Sequence, residues 1–195
     1  MNIFFKIFIN PVWVFIKSLF YRLSIMWPDN YLGFKLRSLF WKFNNLKLGQ
    51  KCNISSGSKF YNCRKIKIGS HLTMGNNVLL DANDSNGIFI GKYVSIADGV
   101  YFRSANHRFD LKNIPIQLQG HSCDEIIYSG NKYSVVIEDD AWIGARAILL
   151  SGAHVGKGSI IAAKAVVNKK VPEYEVWGGV PARFLKKRIN FDKNE

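Results

Sequence analysis

The sequence predicts an all-β chain, a parallel β-solenoid with a helical segment at its N-terminus, and three observations carry that expectation. From residue 48 onward, apolar residues recur every six positions, a step that suits neither a helix nor a simple strand. Across the six consecutive hexads from Ile137 to Val167, the residue four positions on is nearly always small. Before residue 48 the apolar spacing is helical, and aromatic and basic residues are concentrated there.

The first 47 residues hold 13 of the 27 aromatics, seven Lys or Arg, and one acid, Asp29. After Pro11, the residues Val12, Phe15, Ile16, Leu19, Leu23 and Met26 fall on one helical face. Lys17, Ser18 and Ser24 lie opposite, and Arg22 sits at the edge. Pro28 ends this helix. A second helix places Leu32, Leu36, Leu39, Phe40 and Phe43 on one face, with Lys35, Arg37 and Lys42 elsewhere. Lys6, Lys17 and Arg22 interrupt the run too often for a spanning helix, and no small-residue cleavage site follows. Such helices suit a membrane interface, reached by residues 1–43, or a cap on the following domain; the apolar arc is wide enough for both.

In the solenoid, Ile137, Ile143, Leu149, Val155, Ile161 and Val167 mark the inward positions. Ala141, Ala147, Ala153, Ser159, Ala165 and Val171 follow them near the corners, where a larger side chain would collide with the turn. The same step recurs at Ile68, Met74 and Leu80, at Ile90, Ile96 and Phe102, and more weakly at Leu48, Ile54 and Phe60. A repeat of this length means stacked units that bury one another.

The block "VVIEDDAWIGARAILLSGAHVGKGSIIAAKAVVNKKVP" through "VWGGVPARFLKK" resembles the hexapeptide-repeat acyltransferases. It looks like the galactoside, maltose and nodulation-factor O-acetyltransferases and like polysaccharide O-acetyltransferases. The resemblance covers residues 48–185 and implies a left-handed parallel β-helix that works as a homotrimer, with sites between neighbouring solenoids. Three regions follow: a helical segment over 1–47, the solenoid over 48–185, and a basic tail over 186–195.

Between Phe102 and Val135 the period lapses, leaving an excursion loop over 103–134. A long insertion in a compact repeat usually carries function. Phe109, Ile114, Ile116, Leu118, Ile126, Ile127 and Tyr128 give it enough apolar material to pack down. In the family, such a loop leaves the solenoid beside the catalytic histidine, and His107 occupies that position. A neutral imidazole can take the proton of a sugar hydroxyl near pH 7, freeing the oxygen to attack the thioester of acetyl-CoA. Asn106 is a candidate for stabilising the oxyanion. His71 and His154 point outward and read as surface residues, while His121 reads as a structural or solvated loop residue, with contact to an acceptor as the alternative.

By motif position, the resemblance assigns Trp142, Gly144, Ala145, Ala163 and Asn168 to the acyl donor. Lys169, Arg183 and Lys186 are assigned to its phosphate end. Asp81 and Asn83 are assigned to the acceptor. Asp81, Asp110, Asp124 and Glu125 all compete to orient His107. The γ-class carbonic anhydrases share this solenoid and bind zinc through three histidines. The close histidine pair is absent after His107, where Arg108 and Phe109 follow, so no metal is expected.

Cys52, Cys63 and Cys123 show no metal spacing or pairing and read as free thiols of a reducing compartment. The net charge of +13 implies an anionic partner: nucleic acid, a membrane surface or a phosphate-bearing ligand. Nucleic acid is the weaker choice, because no recognisable module interleaves the basic residues with aromatics beyond the first helices. The expected activity is an acetyl-CoA-dependent O-acetyltransferase acting on a saccharide, free or lipid-linked, at the cytoplasmic face of the membrane. The rivals are N-acetyl transfer to an amino sugar and a non-catalytic scaffold.

Overall fold

The computed structural model describes residues 10–188. Lys6 and residues 189–195 of the basic tail lie outside the described residues, as do the side chains of Val12, Lys17 and Ser24. Two helices, α1 (Asn10–Met26) and α2 (Tyr31–Phe43), form where the spacing predicts them. Between them Asn30 caps α2, its side chain accepting from Gly33 N at 2.9 Å. Position 33 must be glycine because a Cβ there would stand 2.1 Å from Pro28 O.

The rest is a three-sided parallel β-helix of five complete coils and two sides of a sixth. One inward column runs Leu48, Ile68, Ile90, Ile137, Val155, Val171 along the first side. A second runs Ile54, Met74, Ile96, Ile143, Ile161, Trp177. A third runs Phe60, Leu80, Phe102, Leu149, Val167. The six-residue step is therefore one side of a coil. Each fully buried side chain in these columns contributes about 1.5–3 kcal/mol by leaving water. Backbone N–H groups donate both to the next coil, as in Asn53 N to Leu72 O at 2.8 Å, and to the preceding one, as in His71 N to Gln50 O at 2.9 Å.

The first coil has no preceding coil to pair with its outward backbone groups, and α2 supplies donors to two of its carbonyls. Arg37 Nε donates to Ile54 O at 2.6 Å, and Ser38 Oγ donates to Cys52 O at 3.1 Å. This corrects the expected orientation of α2. Its buried residues are Gly33, Arg37, Phe40 and Trp41, whereas Leu32, Leu39 and Phe43 are exposed. Arg37 lies inside because Ile54 O at the open solenoid end needs a donor, which a guanidinium supplies and a leucine does not.

At the other end, the chain after the "GGVPAR" turn folds back as a strand, Arg183–Lys187, antiparallel to Glu175–Gly178. Lys186 and Lys187 thus lie in this strand, and Arg188 donates to Asp140 Oδ2 at 2.8 Å and Gly158 O at 2.7 Å.

Two of the histidines read as surface residues are less free than that. His71 takes a left-handed corner conformation and stacks on Tyr93 with ring centroids 4.5 Å apart. His154 does point outward, but the hairpin of Ile126–Tyr128 and Asn131–Tyr133 lies over its side of the solenoid. Its side chain is only 14 % exposed, and its Nε2 lies 2.7 Å from Glu138 Oε1. The same hairpin packs Tyr128 and Tyr133 against Phe89.

Candidate active site

The coil-to-coil step measures where the repeat is broken. It is 18 residues from Ile143 to Ile161, but 20 from Ile54 to Met74, 22 from Met74 to Ile96 and 47 from Ile96 to Ile143. All three insertions fall at the corner between the third side and the first, around residues 61–65, 81–87 and 103–134. They therefore stack, and the candidate acceptor and base residues stack with them.

Buried serines tie this corner together. Ser104 Oγ donates to Asp81 O at 2.6 Å and meets Ser85 Oγ at 2.8 Å. Ser134 closes the other side of the loop's neck, accepting from Asn86 N at 3.1 Å and donating its own N–H to Gly87 O at 2.8 Å. Ser104 and Ser134 are both fully buried, so the loop leaves the solenoid through a fixed gate.

Above the gate, Asn106–His107 pairs antiparallel with His121–Ser122, with His107 directly opposite His121. Their ring centroids are 4.5 Å apart, and His121 Nδ1 lies 3.5 Å from Asp84 Oδ2 on the preceding coil. His107 and Asn106 are exposed, as a group that must reach a substrate has to be. The loop beyond is held by Gln119, whose Nε2 donates to Leu111 O at 3.0 Å and Ile114 O at 2.7 Å.

The carboxylates expected to compete for His107 are otherwise occupied. Asp81 forms a short ion pair with Arg103 and also accepts from Asn83 N at 3.0 Å. Asp110 pairs with Arg108 at 2.7 Å, and that hydrogen bond holds its carboxyl below its ordinary pKa. Glu125 pairs with Lys132 at 2.9 Å, and Asp124 lies against Gly152. The neighbour of His107 is His121, with Asp84 behind it, a grouping the sequence reading missed. The 14-residue gap from His107 to His121 contains a 3₁₀ turn and irregular backbone, so strand register across it has no sequence signal. The loop's apolar residues also depart from expectation: Phe109, Ile116, Leu118 and Ile127 stay exposed instead of packing down.

The residues assigned to the acyl donor lie apart from His107. Trp142 projects from the second side, 52 % exposed, between Ser95 and Ile160. Gly144, Ala145 and Ala163 form the next corner, between the second and third sides, with Lys164 N donating to Ala145 O at 2.9 Å. Gly144 lets successive coils meet there, since a Cβ would lie 2.6 Å from Ala163 N. Asn168 and Lys169 return to the His107 corner two coils on, and Lys169 Nζ stands 5.4 Å from the centre of the Trp177 ring. Arg183 lies exposed on the final strand, its guanidinium donating to Ala182 O at 3.0 Å. The third side of the solenoid thus separates Gly144, Ala145 and Ala163 from His107 within one chain.

Cys52, Cys63 and Cys123 are free thiols, and burial raises the pKa of the first two. Among the described residues, no three His, Cys, Asp or Glu are grouped to hold a metal ion. No described helix is long and apolar enough to cross a membrane.

A parallel β-helix of hexapeptide coils, with one long loop carrying an exposed histidine, defines a recognisable class. The family described as bacterial transferase hexapeptide (six repeats) matches residues 134–169. A probable macrolide acetyltransferase of Lysinibacillus sphaericus is 36% identical over 115 residues, covering 55% of this chain and 64% of that protein. A hexapeptide-repeat acetyltransferase of Vibrio cholerae superimposes with a TM-score of 0.65 at 25% identity, covering 89% of each chain. A maltose O-acetyltransferase of Clostridium difficile superimposes at 0.60 with 22% identity, covering 90% of this chain and 86% of that one. Residues 134–169 thus carry hexapeptide transferase repeats, and the chain shares the β-helix fold of the Vibrio cholerae acetyltransferase. It spans less than two thirds of the length of the curated relatives it matches first.

Proposed function

We propose that the protein is an acetyl-CoA-dependent O-acetyltransferase acting on a saccharide hydroxyl, of a surface polysaccharide or a lipid-linked glycan precursor, with His107 as general base. The observation that carries this reading is the placement of His107: exposed, fixed by strand pairing, at the corner where three insertions stack. The imidazole takes the hydroxyl proton as the sugar oxygen attacks the thioester carbonyl. The tetrahedral intermediate then collapses, the carbon–sulfur bond breaks, and the imidazolium returns its proton to the leaving thiolate. Asn106, beside the base, is the candidate donor to the oxyanion.

The separation of His107 from Trp142, Gly144, Ala145 and Ala163 favours a homotrimer in which the donor corner of one copy faces the loop of the next. The exposed Phe109 and Leu118 suit burial in such a contact. The free thiols suit a reducing, cytoplasmic location. The exposed apolar residues of α1 and α2 suit contact of residues 1–43 with the inner face of the cytoplasmic membrane.

The test is CoA release with a panel of saccharides and their amino-sugar counterparts. His107→Ala is expected to slow transfer about 10²–10⁴-fold, the usual worth of a positioned base. Undiminished transfer by His107→Ala removes the base. Transfer to the amine alone favours N-acetylation, and no transfer by the native chain to any sugar favours a scaffold.

A further inference from the structure

The excess positive charge of this protein is confined to one end. Residues 1–80 hold 12 Lys or Arg and one acid, whereas residues 81–195 hold 15 Lys or Arg and 13 acids. From Asn30 to Leu80 there is no Asp or Glu at all, against nine basic residues. Of those nine, Arg37 alone has a carboxylate partner among the described residues. The coils that carry the candidate active site are nearly neutral and pair their charges internally, as Arg103 does with Asp81 and Arg188 with Asp140.

The unpaired cations are gathered by the fold. Lys47 and Lys67 are neighbours in register on the outer face of the first side. With Arg64, Lys65 and Lys132 they line a groove of about 240 Å³. Lys65 donates to Ser85 O at 2.7 Å, Lys132 is engaged by Glu125, and Lys67 stands 5.8 Å from the centre of the Phe89 ring. Lys47 and Arg64 meet no carboxylate among the described residues and also line a second hollow with Asn45 and Leu46. That hollow begins two residues after α2 ends at Phe43, itself 60 % exposed. On the same helical pair Phe15, Leu19, Leu23 and Leu39 are exposed. Apolar side chains and unpaired cations therefore adjoin at the N-terminal end of the solenoid, the combination that binds a bilayer bearing anionic lipids.

We propose that this end docks on an anionic bilayer, with Lys47, Arg64 and Lys67 meeting lipid headgroups while the exposed side chains of α1 and α2 enter the interface. This rests on the membrane contact proposed above and adds to it the solenoid residues and the lipid charge that set the docking. The near-neutral coils are then carried at the membrane surface without being held against it.

The full chain is sedimented with phosphatidylcholine vesicles, and with vesicles of phosphatidylcholine and phosphatidylglycerol at 7:3. Native protein is expected on the anionic vesicles at 0.1 M NaCl, with binding lost at 0.5 M as the Debye length shrinks. Each surface cation contributes about five-fold to such partitioning, so Lys47→Gln, Arg64→Gln and Lys67→Gln together should weaken it roughly 100-fold. An unchanged melting temperature shows that the triple variant remains folded. If it binds like the native chain while Phe15→Ser with Leu19→Ser does not, the helices make the contact and the basic face plays no part. If the native chain binds neither vesicle, both readings fail. Tighter binding to poly(U) RNA than to anionic vesicles overturns the proposal in favour of nucleic acid.

Discussion

Replacing Arg37 by methionine tests whether α2 ends the solenoid by chemistry or merely by covering it. The side chain is 2 % exposed and donates to Ile54 O at 2.6 Å, Trp27 O at 2.9 Å and Asp29 Oδ1 at 2.6 Å. Burial acts against its charge and Asp29 offsets part of that cost. Methionine fills similar space and offers no donor. Ile54 O then loses its partner at a closed solenoid end, at about 1–3 kcal/mol for a buried unsatisfied acceptor. Removing one member of a buried ion pair costs about 3–5 kcal/mol, but Asp29 is 30 % exposed and keeps the N–H of Ser56 at 3.1 Å. The lower end applies, about 3 kcal/mol. For a chain of this length that corresponds to a fall in Tm of roughly 6–12 °C. The assay is thermal unfolding by circular dichroism, with Lys35→Met on the exposed face of α2 as control. Arg37→Lys keeps the charge without the planar fork and should fall between the two. A methionine variant melting within about 2 °C of the native chain, or a control falling as far, would refute the capping argument.

Two further outcomes follow from the site. Gly144→Val places a Cβ 2.6 Å from the backbone N of Ala163, which cannot move without parting two coils. It should cost about 1–3 kcal/mol on thermal unfolding, while Ala145→Val at the exposed neighbouring position stays close to native. His121→Ala removes the ring packed on His107 and should lower kcat about ten-fold with the KM for acetyl-CoA unchanged, while His121→Phe, which keeps a ring there, should restore most of it. A loss confined to thermal stability, with kcat intact, would make His121 a structural residue only.

The inward columns were legible because a solenoid is built from local repetition. Ile143, Leu149, Val155 and Ile161 announce their direction within a few residues, and the coil they belong to adds only more of the same. His107 was legible as the place where that repetition stops. The orientation of α2 was not, because helical periodicity finds an apolar stripe but cannot know that Ile54 O and Cys52 O await donors at the solenoid end. The grouping of His107 with His121 was not legible either, nor that Asp81, Asp110 and Glu125 each pair with a cation.

By itself, the sequence determined the solenoid, its inward residues and the position of its one long interruption, because each depends on side chains spaced six apart along the chain. Only the tertiary structure decided that three insertions share one corner, that His107 lies against His121 with Asp84 behind, and that Arg37 turns inward. Those are contacts between coils 20 or more residues apart, across the loop from His107 to His121, or between a helix and a strand end. They follow from how the chain closes on itself, which no local spacing records.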